Sequence, residues 1–159
     1  MVTFAPFGAD EQARTMPAKP IVIASDHAGF ELKSLLVDMM RGQGLEVIDL
    51  GTDGTASVDY PDFADALARA MGEGRAERGV LVCGTGIGVA MAANRHPGIR
   101  AAPCHDETSA RLAREHNDAN VLALGARITG VEVAKDCLRA FLNTDFAGGR
   151  HATRVAKLA

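Results

Sequence analysis

From Pro20 onward the chain repeats one unit: a short β-branched or apolar run, a turn, then apolar residues at helical spacing. This alternation constrains the fold more than any other feature, because strands joined by helices pair in parallel. Residues 21–24 (Ile-Val-Ile-Ala) read as a first strand. Leu32, Leu35, Leu36, Met39 and Met40 follow at i, i+3, i+4, i+7 and i+8, the apolar stripe of a helix that Gly42 and Gly44 end. Residues 47–50 make a second strand and 51–60 a loop, and Pro61 opens a helix with Phe63, Leu67, Ala70 and Met71 on one side. Strands are expected over 79–83, 99–103 and 120–124, and helices over 89–94, 107–116, 131–142 and 150–157. In the 131–142 helix, Ala134, Cys137, Leu138, Phe141 and Leu142 should face inward. The expected fold is α/β: a three-layer α/β/α, Rossmann-like arrangement around a five-stranded parallel sheet. One domain covers residues 20–159, and residues 1–19, which lack periodicity, are expected to form a flexible extension.

Composition narrows the function. A net charge of −3, with no basic run or basic helix face, gives no footprint for nucleic acid. No apolar run is long enough to span a bilayer, and the first residues lack the apolar centre of a secretory signal. Three cysteines in unrelated contexts suit reduced thiols, hence a cytoplasmic location. Metal is not expected, since the histidines form no HxH, HExxH or Cys/His spacing, and no GxSxG elbow is present.

Right-handed crossovers leave the carboxyl ends of parallel strands along one edge, where ligands bind. Asp26, His27, Cys83-Gly84-Thr85-Gly86-Ile87-Gly88, His105 and Asp106 all fall there. A glycine-rich strand-to-helix turn presents backbone N–H groups to an anion, and a cysteine beside it is biased toward thiolate. Free thiols titrate near ~8.5, so a modest downward shift makes such a cysteine a usable base. A dinucleotide fingerprint fits poorly, because Val89 and Met91 stand where its third glycine or alanine belongs. A buried inert cysteine is the plainer alternative. Asp26 and His27 suit proton transfer or anion binding, or equally a helix cap beside a solvated histidine. His116 at a helix C-terminus is a structural or a functional histidine, while Cys104 reads as filler. Arg150 and Arg154 share a helix face, and with Arg127 they are either surface charges or a phosphate grip.

Taken in order, Ile23-Ala24-Ser25-Asp26-His27-Ala28-Gly29-Phe30, Asp59-Tyr60-Pro61, Cys83-Gly84-Thr85-Gly86-Ile87-Gly88, Arg114-Glu115-His116-Asn117-Asp118-Ala119-Asn120-Val121-Leu122 and Gly148-Gly149-Arg150-His151 closely resemble the ribose-5-phosphate isomerase B family, which includes the galactose-6-phosphate isomerase subunits. The resemblance runs from Pro20 to the C-terminus. It implies an aldose–ketose isomerase that needs no metal or redox cofactor. Its partners would be a phosphorylated sugar and further copies of the chain, in a homodimer or dimer of dimers with shared sites. By resemblance Cys83 is the proton-transfer base and Thr85 assists it. His116 opens the furanose ring with Asp26. The amides of Gly84, Gly86, Ile87 and Gly88 hold the enediolate, and Asn117 and Tyr60 bind the sugar. His27, Arg127, Arg150 and Arg154 grip the phosphate, with His116 and Arg127 supplied by the partner. Another branch carries glutamate at the position of Val89 and glycine at that of Cys83, so this chain resembles the cysteine branch. Many relatives have an aromatic residue where Thr108 stands, which leaves galactose 6-phosphate, allose 6-phosphate and a tetrulose 4-phosphate as alternatives to ribose 5-phosphate. A non-catalytic sugar-phosphate sensor is the rival of another class, and joint retention of Cys83, Thr85 and His116 weighs against it.

Overall fold

The computed structural model describes residues 18–158, so the extension expected over 1–19 lies almost wholly outside the described residues. The elements are β1 (Ile21–Ser25), α1 (Phe30–Gly42), β2 (Val47–Asp49), α2 (Tyr60–Gly72), β3 (Arg78–Cys83), α3 (Ile87–Ala93), β4 (Ala101–Pro103), α4 (Glu107–Asn117), β5 (Val121–Gly125), α5 (Val131–Asn143) and α6 (Arg150–Val155), closed by a 3-10 turn over Ala156–Leu158. The last segment, expected as one helix, is thus a short helix and a tighter turn. The sheet order is β2-β1-β3-β5-β4, and every pairing is parallel.

Strand side chains alternate between two cores. Ile21, Ile23, Val80, Val82, Leu122 and Leu124 face α1, α4 and α5, where they meet Leu36, Met40, Ala110, Leu138 and Phe141. Val22, Ala24, Leu81, Cys83, Val121 and Ala123 face α2 and α3, where they meet Leu67, Val89 and Ala93. Helices therefore cover both faces, as the unbroken apolar strands require.

One position of the α1 stripe departs from expectation. Leu35 is half exposed, while Lys33 is only 2% exposed. The Lys33 ammonium meets both carboxylate oxygens of Asp49 at 2.7 Å, which offsets its desolvation. Asp49 also accepts the Gly51 N–H at 2.9 Å, so the buried pair anchors the loop leaving β2.

The chain direction places the helix ends. α4 starts beside the carboxyl end of β4 and must run back to begin β5. Arg100 Nε donates to Asp118 O at 2.9 Å, and Gly79 N donates to Asn120 O at 2.9 Å, which sets the end of α4 at the amino edge of the sheet.

Candidate active site

The crossover from β1 to β2 through α1 and the crossover from β2 to β3 through α2 lie on opposite faces and land on opposite sides of β1, so a crevice opens between the carboxyl ends of β1 and β3. Most of the expected site residues gather there. Cys83 ends β3 and is 5% exposed, but its sulfur is not enclosed by hydrocarbon alone: it accepts the Gly86 N–H at 3.2 Å. Gly86 adopts φ 77°, a left-handed turn that lets the loop fold back over the sulfur. Thr85 Oγ1 accepts the Ile87 N–H at 3.2 Å. The next loop locks onto this one, as Ala126 N donates to Cys83 O at 2.8 Å and Arg127 N to Gly84 O at 2.9 Å.

Tyr60, at the start of α2, lies on Gly88; a Cβ there would stand 2.7 Å from its Cζ. Glycine at 88 is therefore a spacing requirement. Asp26 is buried, with its amide donating to Val82 O at 3.3 Å. Its Oδ1 accepts the Gly29 N–H at 3.1 Å, closing the turn before α1, while Gly29 itself occupies the helix cap position. The helix-cap reading is thus half met, since the carboxylate braces the turn. His27 Nδ1 lies 3.2 Å from both the N and the O of Val58, which ties it to the loop leading to Tyr60.

Arg127 belongs to this crevice. A Cβ on Gly84 would meet its Cδ at 3.4 Å and Nη1 at 3.5 Å, so the side chain lies over the cysteine loop of its own chain, although the resemblance assigned it to a partner. Asp106 serves structure: its Oδ1 accepts the Ser109 N–H at 2.6 Å in a capping box that starts α4. His105 and Thr108 are exposed.

The remaining site residues form a second group at the other edge. His116 and Asn117 end α4, and α6 packs against this helix at His116. The rings of His116 and His151 stack with centroids 4.3 Å apart and planes 11° from parallel, and Ala147 N donates to Glu115 O at 3.0 Å. Arg150 and Arg154 on α6 are exposed and make no ion pair with the described residues. Gly79 to Cys83 is four strand steps, roughly 13 Å at the usual rise, so within one chain this group stands apart from Cys83.

Sequence reasoning missed what holds the second group. Arg114 is buried; it donates to Asp118 Oδ1 at 2.9 Å, Ala119 O at 2.6 Å and Thr144 O at 3.1 Å, with its guanidinium 5.8 Å from the Phe141 ring centroid. The i,i+4 spacing of Arg114 and Asp118 was the available signal.

The three thiols differ. Burial pushes Cys104 up to about 11, and burial followed by the nearby Cys104 pushes Cys137 up to about 12. Both face the core on the α5 side of the sheet, away from the crevice. Among the described residues no group of three or more His, Cys, Asp or Glu side chains is placed to hold a metal ion, and no helix is long and apolar enough to cross a membrane.

Comparison with known proteins agrees with this architecture. The sequence model of the family described as Ribose/Galactose Isomerase matches residues 21–158. Ribose-5-phosphate isomerase B of Escherichia coli (strain K12) is 46% identical over 137 residues, which is 86% of this chain and 92% of that one. D-erythrulose-4-phosphate isomerase of Pectobacterium atrosepticum is 46% identical over 139 residues, 87% of this chain and 91% of that one. The solved structure of ribose-5-phosphate isomerase B from Clostridium thermocellum matches with a TM-score of 0.86 and 52% identity, over 87% of this chain and 94% of that one. Fold, crevice and likenesses together define a doubly wound α/β aldose–ketose isomerase. The chain belongs to the ribose/galactose isomerase family.

Proposed function

We propose that the protein interconverts D-ribose 5-phosphate and D-ribulose 5-phosphate through a cis-enediolate, with Cys83 as the base, in a site that a second copy of the chain completes. The observation that carries this reading is the Cys83 sulfur, held under the 84–88 loop at the β1/β3 crevice with Asp26, His27, Tyr60 and Arg127 around it.

The chemistry follows from that arrangement. The Cys83 thiolate takes the C2 proton of the open-chain aldose and the electron pair moves onto the C1 carbonyl oxygen; the C2 hydroxyl proton passes to that oxygen, and the thiol returns its proton to C1 as the C2 carbonyl forms, giving the ketose. Positioned proton transfer of this kind contributes roughly 10²–10⁴-fold. The loop amides stabilise the oxygen on which charge develops, usually the larger contribution. Ring opening falls to His116 of the partner subunit, assisted by Asp26. Arg150 and Arg154 of the partner subunit take the phosphate with His27 and Arg127. The separation of the two groups supports a shared site, because adjacent carbons of one pentose cannot reach both edges of a single sheet. The phosphate lies away from the reacting carbons, so its binding energy holds the sugar in a reactive pose.

A four-carbon substrate is the second reading. The Pectobacterium relative is named for D-erythrulose 4-phosphate and is as similar, at 46% identity, as the Escherichia coli relative. A coupled assay over four-, five- and six-carbon aldose phosphates separates the two: ribose 5-phosphate should give the highest kcat/KM. Cys83→Ala should lower kcat for that substrate by about 10²–10⁴-fold while the affinity for an unreactive pentitol 5-phosphate stays within about twofold. Retained turnover in Cys83→Ala removes the cysteine base.

A further inference from the structure

Two imidazoles lie face to face at the end of α4. His116 and His151 have centroids 4.3 Å apart and planes 11° from parallel, and this stack is where α6 seats on α4. A flat ring pressed on a flat ring removes a rotational freedom that an exposed histidine at a helix end otherwise keeps.

The charged and titratable groups around His151 come from two helices and a turn. α4 contributes His116 and Glu115, the latter paired to Arg111 at 3.0 Å; α6 contributes Arg150 and Arg154; Lys157 follows on the 3-10 turn. Packing against the protein, then His116, Arg150 and Arg154 in that order, lowers the proton affinity of His151, against a smaller opposing pull from Glu115. A second positive charge within about 4 Å of a first is unfavourable, so a charge on the neighbouring ring opposes protonation of His151.

We propose that His151 is the positioning residue for His116: the stack fixes the plane of the His116 ring and ties it to α6, the helix that carries Arg150 and Arg154. The proposal rests on the reading of His116 as the ring-opening residue. Two consequences separate it from a purely structural role. First, His151 should matter for a cyclic aldose and not for the acyclic ketose. Ribulose 5-phosphate has its C5 oxygen esterified and closes no furanose ring, so exchange of its C1 proton with solvent needs the base and not the ring opener. Second, removing the His116 imidazole should raise the proton affinity of His151.

The test uses the full-length enzyme with His151→Ala, His151→Phe and His116→Gln. Three quantities are read: kcat and KM for ribose 5-phosphate, deuterium uptake at C1 of ribulose 5-phosphate, and the His151 titration by ¹⁵N-edited NMR. His151→Ala should lower kcat on ribose 5-phosphate by about ten- to a hundredfold, the usual cost of a misplaced group, with ketose exchange at saturating ribulose 5-phosphate within about twofold of the parent and a rise in KM, from the loosened α6, shared by both sugars. His151→Phe, which keeps the flat ring, should restore most of that kcat. The His151 titration midpoint should rise in His116→Gln. Equal losses on aldose turnover and ketose exchange, no recovery with Phe, or an unmoved His151 titration each overturn the proposal and leave the proposed function standing. Full ribose 5-phosphate turnover in His116→Gln overturns the ring-opening reading and the positioning role with it.

Discussion

Cys83, Cys104 and Cys137 are all buried, yet the fold gives them different chemistry. Cys104 and Cys137 lie in the core on the α5 side, where burial disfavours the thiolate, and are pushed up to about 11 and about 12. Cys83 instead faces an amide N–H at the mouth of a crevice. Iodoacetamide at pH 8 should therefore modify the folded protein at Cys83, with peptide mass mapping finding Cys104 and Cys137 unlabelled until denaturant is added. Labelling of either core thiol in the folded state would contradict this assignment. Gly88 is the other residue whose environment makes a sharp demand. In Gly88→Ala the new methyl enters the space of the Tyr60 ring at 2.7 Å. Tyr60 is 40% exposed and can swing outward, so stability should fall by only about 1 kcal/mol, the low end for overpacking. If Tyr60 binds the sugar as proposed, displacing its ring should show instead as a KM for ribose 5-phosphate raised roughly tenfold, about 1.4 kcal/mol of binding. Steady-state kinetics beside a thermal melt separates the two effects.

At the scale of elements, α6 is the helix most dependent on its neighbours. It has six residues, buries none of them, and is joined to α4 through the histidine stack and the hydrogen bond from Ala147 to Glu115. A helix this short has almost no stability of its own. The folded-state proton affinity of His151 is depressed, so the unfolded chain binds that proton more tightly than the docked helix does. The stabilising contribution is then present above the ordinary histidine range, around ~6.5, and is lost as pH falls toward the depressed folded value. Hydrogen exchange of the α6 amides, corrected for intrinsic rates, should accelerate between pH 7 and pH 5. The effect should shrink in His116→Gln, where one source of repulsion is gone. An α6 protection factor independent of pH would refute this linkage. The end of α4 should not loosen in step, because Arg114, Asp118 and Arg100 hold it through contacts outside the stack.

For the whole molecule, the decisive feature is the division of chemistry between the two edges of one sheet. Cys83, Asp26, His27, Tyr60 and Arg127 stand at the carboxyl edge, and His116, Asn117, Arg150 and Arg154 at or beside the amino edge. If a partner completes each site, two inactive variants should complement each other. Cys83→Ala and His116→Ala subunits, mixed and allowed to exchange, form hybrids in which one site carries both lesions and the other carries neither. Activity should recover to about a quarter of the parent value with one functional site per hybrid dimer and random pairing. Sites confined to single chains would give no recovery on mixing. The exposed apolar side chains Ile87, Met91, Ile128 and Val131 fall on α3 and around the start of α5, near the crevice, where a second copy would have to approach.

The alternation of apolar runs and helical stripes was enough to read five parallel strands covered on both faces, since a strand buried on both sides leaves no other pattern. The turn after β3 was equally legible: a cysteine among three glycines states its own geometry, and Gly86 proved to need a left-handed backbone pressed on other backbone atoms while Gly88 proved to lie under the Tyr60 ring. Lys33 and Leu35 were not readable, because whether a lysine stem is buried depends on a carboxylate from another strand, here Asp49. The pairing of His116 with His151 was hidden for the same reason, as was the burial of Arg114. Local spacing encodes which elements form and which glycines permit a turn, because those depend on neighbours a few residues away. Only the tertiary structure decided that Arg127 lies over its own cysteine loop and that His116 stands at the other edge of the sheet, because chain direction through the sheet sets which edge each residue reaches.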